Sequence, residues 1–148
     1  MKKLLLIVSG LLLTSCAVKQ PGVVLPGEDP AKTIAPDRGT SSAVITLLDK
    51  ARDATRAGDY QRAEVLLERT VRIEPRNASL WHYMAKLRLH QGRYDEAIGL
   101  SSKSNNLARG NSKLMADNWR IIAHARYQSG DRQGAEQAQD RARQLQAQ

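Results

Sequence analysis

Residues 57–66 read AGDYQRAEVL, and residues 91–100 read QGRYDEAIGL. Gly58 matches Gly92, Tyr60 matches Tyr94 and Ala63 matches Ala97, each pair 34 residues apart. A fixed interval of that size marks a chain built from one supersecondary unit used more than once. The flanks say what the unit is. Upstream, SSAVITLLDKARDATRAG opens on serines suited to cap a helix and places Val44, Leu47, Leu48, Ala51 and Ala54 on one stripe. Gly58 ends the stripe, Asp59 is suited to cap YQRAEVLLERTVRI, and Pro75 closes that second helix. The unit is helix, short turn, helix. It returns from Ala78 as SLWHYMAKLRLHQG and RYDEAIGLSSKSNNLARG, and again as MADNWRIIAHARYQSG and DRQGAEQAQDRARQL.

The period and the unit resemble tetratricopeptide repeats (TPRs). With copies starting at Val44, Ala78 and Ala116, the eighth position is Ala51, Ala85 and Ala123, the fifteenth Gly58, Gly92 and Gly130, and the twentieth Ala63, Ala97 and Ala135. Small residues there let paired helices approach closely. Ile73, Leu107 and Leu145 at the thirtieth position are expected to close the apolar face, and Trp81 and Trp119 at the fourth to lie in the core. The expected fold is therefore all-α, a solenoid of about three TPRs over residues 43–148, with repeats near 44–77, 78–111 and 116–148. Two departures stand out. The third copy starts 38 residues after the second, so NNLARGNSKLM carries about four extra residues, one helical turn or a longer loop. Arg132 replaces the turn tyrosine of the first two copies.

Ahead of the repeats, Met1-Lys2-Lys3 and the apolar run LLLIVSGLLL form an export signal, the run being shorter than the roughly 20 residues a membrane span needs. Leu13-Thr14-Ser15-Cys16 resembles a bacterial lipobox, and Cys16 is the only cysteine of the chain. That resemblance implies a signal peptide over 1–15, cleavage before Cys16 and a covalent lipid on it, with no other cofactor. The plainer alternative is a secretory signal with an incidental cysteine. Ala17 rather than Asp after Cys16 favours the outer membrane, with the domain facing the periplasm. Several acyl chains give durable anchoring where one gives marginal binding. Residues 16–42 hold four of the five prolines, at 21, 26, 30 and 36, and are expected to be a disordered tether with a stretched limit of about 75 Å.

The formal net charge is +8, and cleavage of Lys2 and Lys3 leaves 8 − 2 = +6. Such a balance favours an anionic partner. The chain has no Gly-rich phosphate loop, metal motif or nucleophile elbow, so no catalytic residue, metal ligand or enzymatic activity is expected. Export argues against nucleic acid. Repeat stacks present a concave surface, and the resemblance places groove residues near positions two, five, nine, twelve and thirteen of each copy. Those positions give a candidate partner-binding groove with Arg52, Arg56, His82, Lys86, His90, Arg120, His124 and Tyr127, holding all three histidines and four cations against the single acid Asp117. Arginine forks there would suit an acidic peptide or protein face. The carboxylate clamp of chaperone-binding members is absent, since position nine is Arg52, Lys86 and His124. A metal site at His82 and His124 lacks an acidic or thiol third ligand.

The stretch LWHYMAKLRLHQGRYDEAIGLSSKSNNLARGN, with NWRIIAHAR, resembles the short TPR lipoproteins of pseudomonads and their relatives, which include the LpoP-type activator of a class A penicillin-binding protein. The resemblance implies a lipid-anchored adaptor that reaches through the wall to a bifunctional peptidoglycan synthase and stimulates it. The alternatives are a pilotin or assembly factor for an outer-membrane secretin or type IV pilus, and an envelope scaffold that regulates no enzyme.

Overall fold

A computed structural model describes residues 34–108 and 110–147. Six α-helices follow one another: α1 Ser42–Arg56, α2 Tyr60–Ile73, α3 Ala78–His90, α4 Tyr94–Leu107, α5 Ser112–Gln128 and α6 Arg132–Gln146. Cys16 and residues 16–33 of the expected tether lie outside the described residues.

Each hairpin turns through three residues, 57–59, 91–93 and 129–131. The central residue is Gly58, Gly92 or Gly130, with φ of 76°, 72° and 91°. That left-handed conformation suits glycine because it has no Cβ to clash. In all three turns the glycine N–H bonds back to the carbonyl of Thr55, Leu89 or Tyr127, and the next N–H to Ala54, Arg88 or Arg126. These paired bonds satisfy carbonyls left open at the helix end, as in a Schellman motif. Asp59 and Asp131 then cap α2 and α6 by accepting from the N–H groups of Arg62 and Gly134. The recurrence in sequence is thus one hydrogen-bonded turn used three times, at intervals of 34 and 38 residues.

Helices pack as the pairs α1–α2, α3–α4 and α5–α6, with α3 also against α5. Val44, Leu48, Ala51, Ala63, Leu67, Leu80, Met84 and Leu87 form one core around the first pair and α3. Ala85, Leu89, Ala97, Ile121 and Ala125 carry it into the third repeat, and Ile122, Ala123 and Ala138 close α5 onto α6. The alanines at positions eight and twenty are all nearly inaccessible, so helices approach closely at these points.

Three apolar residues are less buried than expected. Ile73 is 50% exposed, because α2 ends there and the chain turns away into α3. Trp81 and Trp119 are half-buried rather than fully buried, Trp119 packing against the Ile122, Ala123 and Ala138 cluster. Trp81 donates its indole N–H to the Pro75 carbonyl at 2.8 Å, and Lys103 Nζ sits 3.4 Å above its ring centroid. An amphipathic indole satisfies its donor and shields one face without full burial.

The four extra residues before the third copy form a helical turn rather than a loop. Helix α5 begins at Ser112, ahead of Ala116, and Asn111 caps it through the Leu114 N–H. This added turn has a partner. Residues 34–41, read in the sequence as tether, are folded onto the domain. Ile34, 4% exposed, packs with Ala78, Ala108 and Leu114, beside Leu107 and Met115. Burying a side chain of that size is worth about 2 kcal/mol. Asp37 accepts from the Ala78 N–H at 2.8 Å and the Ser79 hydroxyl at 2.7 Å, and Glu74 accepts from the Ser41 N–H and hydroxyl at 2.9 and 2.8 Å. Glu74 sits below the usual carboxylate range: burial pushes it up, and the bonds from Ser41 and Asn77 outweigh that push.

Candidate functional site

The repeat register places fifteen positions on a groove, and the structure divides them. Leu48, Ser79, His82, Leu89 and Asp117 are buried. Arg52, Lys86, Arg120, His124 and Tyr127 are half-buried, and Arg56 and His90 are exposed. His82 is therefore a correction to the expected site. It is 1% exposed, and its ring bonds Asn118 of α5 rather than solvent.

The direction of that bond follows from its neighbours. Ser104 Oγ donates to the Ala78 carbonyl at 2.8 Å, so it accepts from Asn118 Nδ2, also at 2.8 Å. Asn118 Nδ2 donates again to Asn105 Oδ1 at 2.9 Å. Its Oδ1 is then the acceptor, and His82 carries its proton on Nδ1, 2.8 Å away. The ring also stands edge-on to Tyr83, centroids 5.5 Å apart. Burial lowers the His82 pKa from 6.5 to about 4, with Lys86 pushing the same way and the Asn118 bond opposing. The imidazole is neutral at pH 7 and serves as a hydrogen-bonded core group. Among the described residues no cluster of three or more His, Cys, Asp or Glu could hold a metal.

The three arginines of the face come with acids one turn back. Arg52 pairs with Asp49 at 3.1 Å, Arg56 with Asp53, and Arg120 with Asp117. The repeat register missed this because Asp49 and Asp53 fall outside the groove positions, although the Asp-x-x-Arg spacing was readable in the sequence. The surface is a set of positioned ion pairs, less basic than a count of groove residues suggests. Arg52 also lies over the Tyr83 ring at 5.7 Å, His90 stacks on Tyr60 with centroids 6.4 Å apart, and Arg132 lies 5.9 Å from the Tyr127 ring centroid. His124 Nε2 is 3.2 Å from Gln128 Nε2. The face therefore offers arginines backed by aromatic rings, a composition enriched at protein interfaces.

Behind it, Arg88 is 5% exposed and fixes the second hairpin. Its guanidinium meets Glu64 of α2 at 2.7 Å, Glu96 of α4 at 3.2 Å and Gln91 at 2.9 Å. Arg88 holds the Glu64 carboxyl below its ordinary range, with Gln91 and Arg93 assisting against burial. This group is structural.

The comparisons agree with the architecture. Residues 54–103 match the tetratricopeptide repeat family model. The globular C-terminal domain of Pseudomonas aeruginosa LpoP superposes with a TM-score of 0.68 at 33% identity, covering 70% of this chain and 97% of that one. The chain belongs to the LpoP-like tetratricopeptide-repeat proteins. Two further structures share the fold alone. The N-terminal domain of Caenorhabditis elegans stress-induced protein-1 has a TM-score of 0.66 at 19% identity, covering 74% of this chain and 88% of that one. The Yersinia enterocolitica type III secretion translocator chaperone SycD has 0.66 at 18%, covering 75% and 81%. Among curated protein sequences none matches significantly. A repeat fold of this kind is a protein-interaction adaptor, and such folds are typically non-catalytic. No helix among the described residues is long and apolar enough to cross a membrane.

Proposed function

We propose that this LpoP-like adaptor is held in the outer membrane by a lipid on Cys16, faces the periplasm, and binds and activates a bifunctional class A penicillin-binding protein. The observation that carries the reading is the 33% identity spread over 97% of the LpoP globular domain. The lipobox at Leu13–Cys16 and the arginine-and-aromatic face support it. The adaptor contributes no chemistry of its own. Its binding energy would favour the active arrangement of the synthase, which requires tighter binding to that arrangement than to the resting one. Lipid anchoring and chain length would restrict this contact to places where wall spacing lets the domain reach across.

The test follows glycan-strand synthesis from lipid-linked precursor by the class A synthase of the same cell, with and without the purified protein. Faster synthesis, with direct binding, is the expected result. Absence of both would remove the synthase as the partner and leave the adaptor fold without that assignment.

A further inference from the structure

Residues 34–40 cross the N-terminal ends of α5 and α3 on their way to α1, and the contacts have the form of a ligand in a receptor. The domain supplies the donors and the segment the acceptors. Tyr83 donates its hydroxyl to the Ile34 carbonyl at 2.6 Å, and Ser79 Oγ lies 3.2 Å from the Ala35 carbonyl. The Ala78 N–H and the Ser79 hydroxyl hold the Asp37 carboxylate, and Asn77 Nδ2 donates to Thr40 Oγ1 at 2.8 Å. Three residues before Asp37, Ile34 fills an apolar socket whose far wall is Leu114 and Met115. Those two residues belong to the extra turn of α5, so the socket is built by the part of the chain that departs from the repeat. Asn77, the residue just before α3, gives that helix no side-chain cap; Asp37 supplies it to the Ala78 N–H from 41 positions away. One group in the seat goes unused. Asn77 is 7% exposed, and its buried Oδ1 has no hydrogen-bond partner among the described residues. The segment in place satisfies the seat incompletely.

We infer that residues 34–40 are an intramolecular ligand, a strap that occupies a peptide seat and yields it to a partner segment carrying an apolar side chain three residues before a carboxylate. Such a segment would displace the strap more effectively if it also offered a donor to Asn77 Oδ1. Displacement has a mechanical consequence. Released, residues 34–41 would lengthen the chain ahead of α1 by roughly 25 Å. Occupation of the seat and reach of the domain are thereby coupled. None of this depends on the partner being a synthase.

The test uses a fluorescent peptide of the sequence TIAPDRGTS, residues 33–41, and the full chain carrying Ile34→Ala with Asp37→Ala to vacate the seat. Anisotropy should show the double variant binding the peptide at least tenfold more tightly than the unaltered chain, whose seat is filled. An Asp-to-Asn version of the peptide should bind it at least fivefold more weakly. A folded double variant that ignores the peptide overturns the inference, as does equal binding by both chains. Hydrogen exchange on the unaltered chain is a second arm that does not depend on the variant folding. The Ala78 amide should exchange at least a hundredfold faster than the Leu87 amide, with little dependence on denaturant, because only the strap protects it. Exchange of Ala78 solely through global unfolding would make residues 34–40 an integral part of the fold and overturn the inference.

Discussion

His82 of α3 donates its Nδ1 proton to Asn118 of α5 across 2.8 Å, in a chain that continues through Ser104 to the Ala78 carbonyl. Helices α3, α4 and α5 thus share one buried polar path between the second and third repeats. Low dielectric strengthens such bonds and makes a stranded member costly. Asn118→Leu would leave the His82 N–H without its acceptor and Ser104 Oγ without its donor. A loss of about 3 kcal/mol in urea unfolding at pH 7 is expected. A loss below about 0.5 kcal/mol would mean the path contributes nothing to repeat docking.

The same ring gives the fold a pH dependence of fixed sign. Unfolded, His82 takes its proton near 6.5; folded, burial holds this off until about 4. As pH falls through that window the unfolded chain binds the extra proton, so stability falls. Between pH 7 and 4.5 the loss should be about 2 kcal/mol. Glu64 and Glu74, both lowered, act further down: their contribution is present above the ordinary carboxylate value and is lost as pH drops through their folded values. His82→Leu should therefore flatten the curve between pH 6.5 and 4.5 while leaving the acid limb. Denaturant titrations of both proteins across pH decide it; parallel curves would assign the slope to other groups.

Helix boundaries, turns and the alanine seams were legible in the sequence because they obey a period. Glycine at position fifteen and alanine at eight and twenty repeat at fixed intervals, and each has a local physical cause. The strap was not legible. Its one proline, Pro36, and Gly39 argue against regular structure, which a tether and a docked segment share, and Asp37 caps a helix 41 residues later with no periodic trace. The one available signal was the insertion before α5, whose Leu114 exists to cover Ile34. His82 was misplaced for a related reason: position five faces the groove in an average repeat, but here Asn118 supplies a polar partner inside the α3–α5 contact. Arg88 shows the same override, an arginine kept in the interior by Glu64 and Glu96.

Strap docking should be measurable as coupling between Asp37 and Ser79. Asp37→Ala removes the remote cap of α3 and should lower stability by about 1 kcal/mol. Ser79→Ala removes one donor to that carboxylate. In a double-mutant cycle the pair should show an interaction of at least about 0.5 kcal/mol, since each change erases the other's contact. Strict additivity in thermal unfolding would contradict the 2.7 Å bond.

The lipid anchor is tested at one atom. Cys16→Ala should move the protein from the outer-membrane fraction to the soluble periplasmic fraction without altering its circular dichroism, since the six described helices lie between Ser42 and Gln146. An unlipidated variant that still sediments with the outer membrane would remove the lipid as the means of attachment.

The groove prediction must take account of the ion pairs. Arg52 and Arg120 each have an aspartate three residues earlier, so reversing them to glutamate places like charges on one turn. The partly exposed Arg52–Asp49 pair contributes little to stability, whereas Arg120 covers the buried Asp117, so its reversal should cost stability. The binding comparison uses the triple variant under conditions where its circular dichroism shows it folded. Binding is another matter. An acidic partner would exchange the intramolecular aspartates for its own carboxylates, and reversal at Arg52, Lys86 and Arg120 together would oppose it at three points. Affinity for the synthase should fall at least tenfold, with the loss larger at low salt because the contacts are screened. If the folded triple variant binds unchanged, the basic face is the wrong surface, and crosslinking should turn to the convex face and the α4–α5 junction.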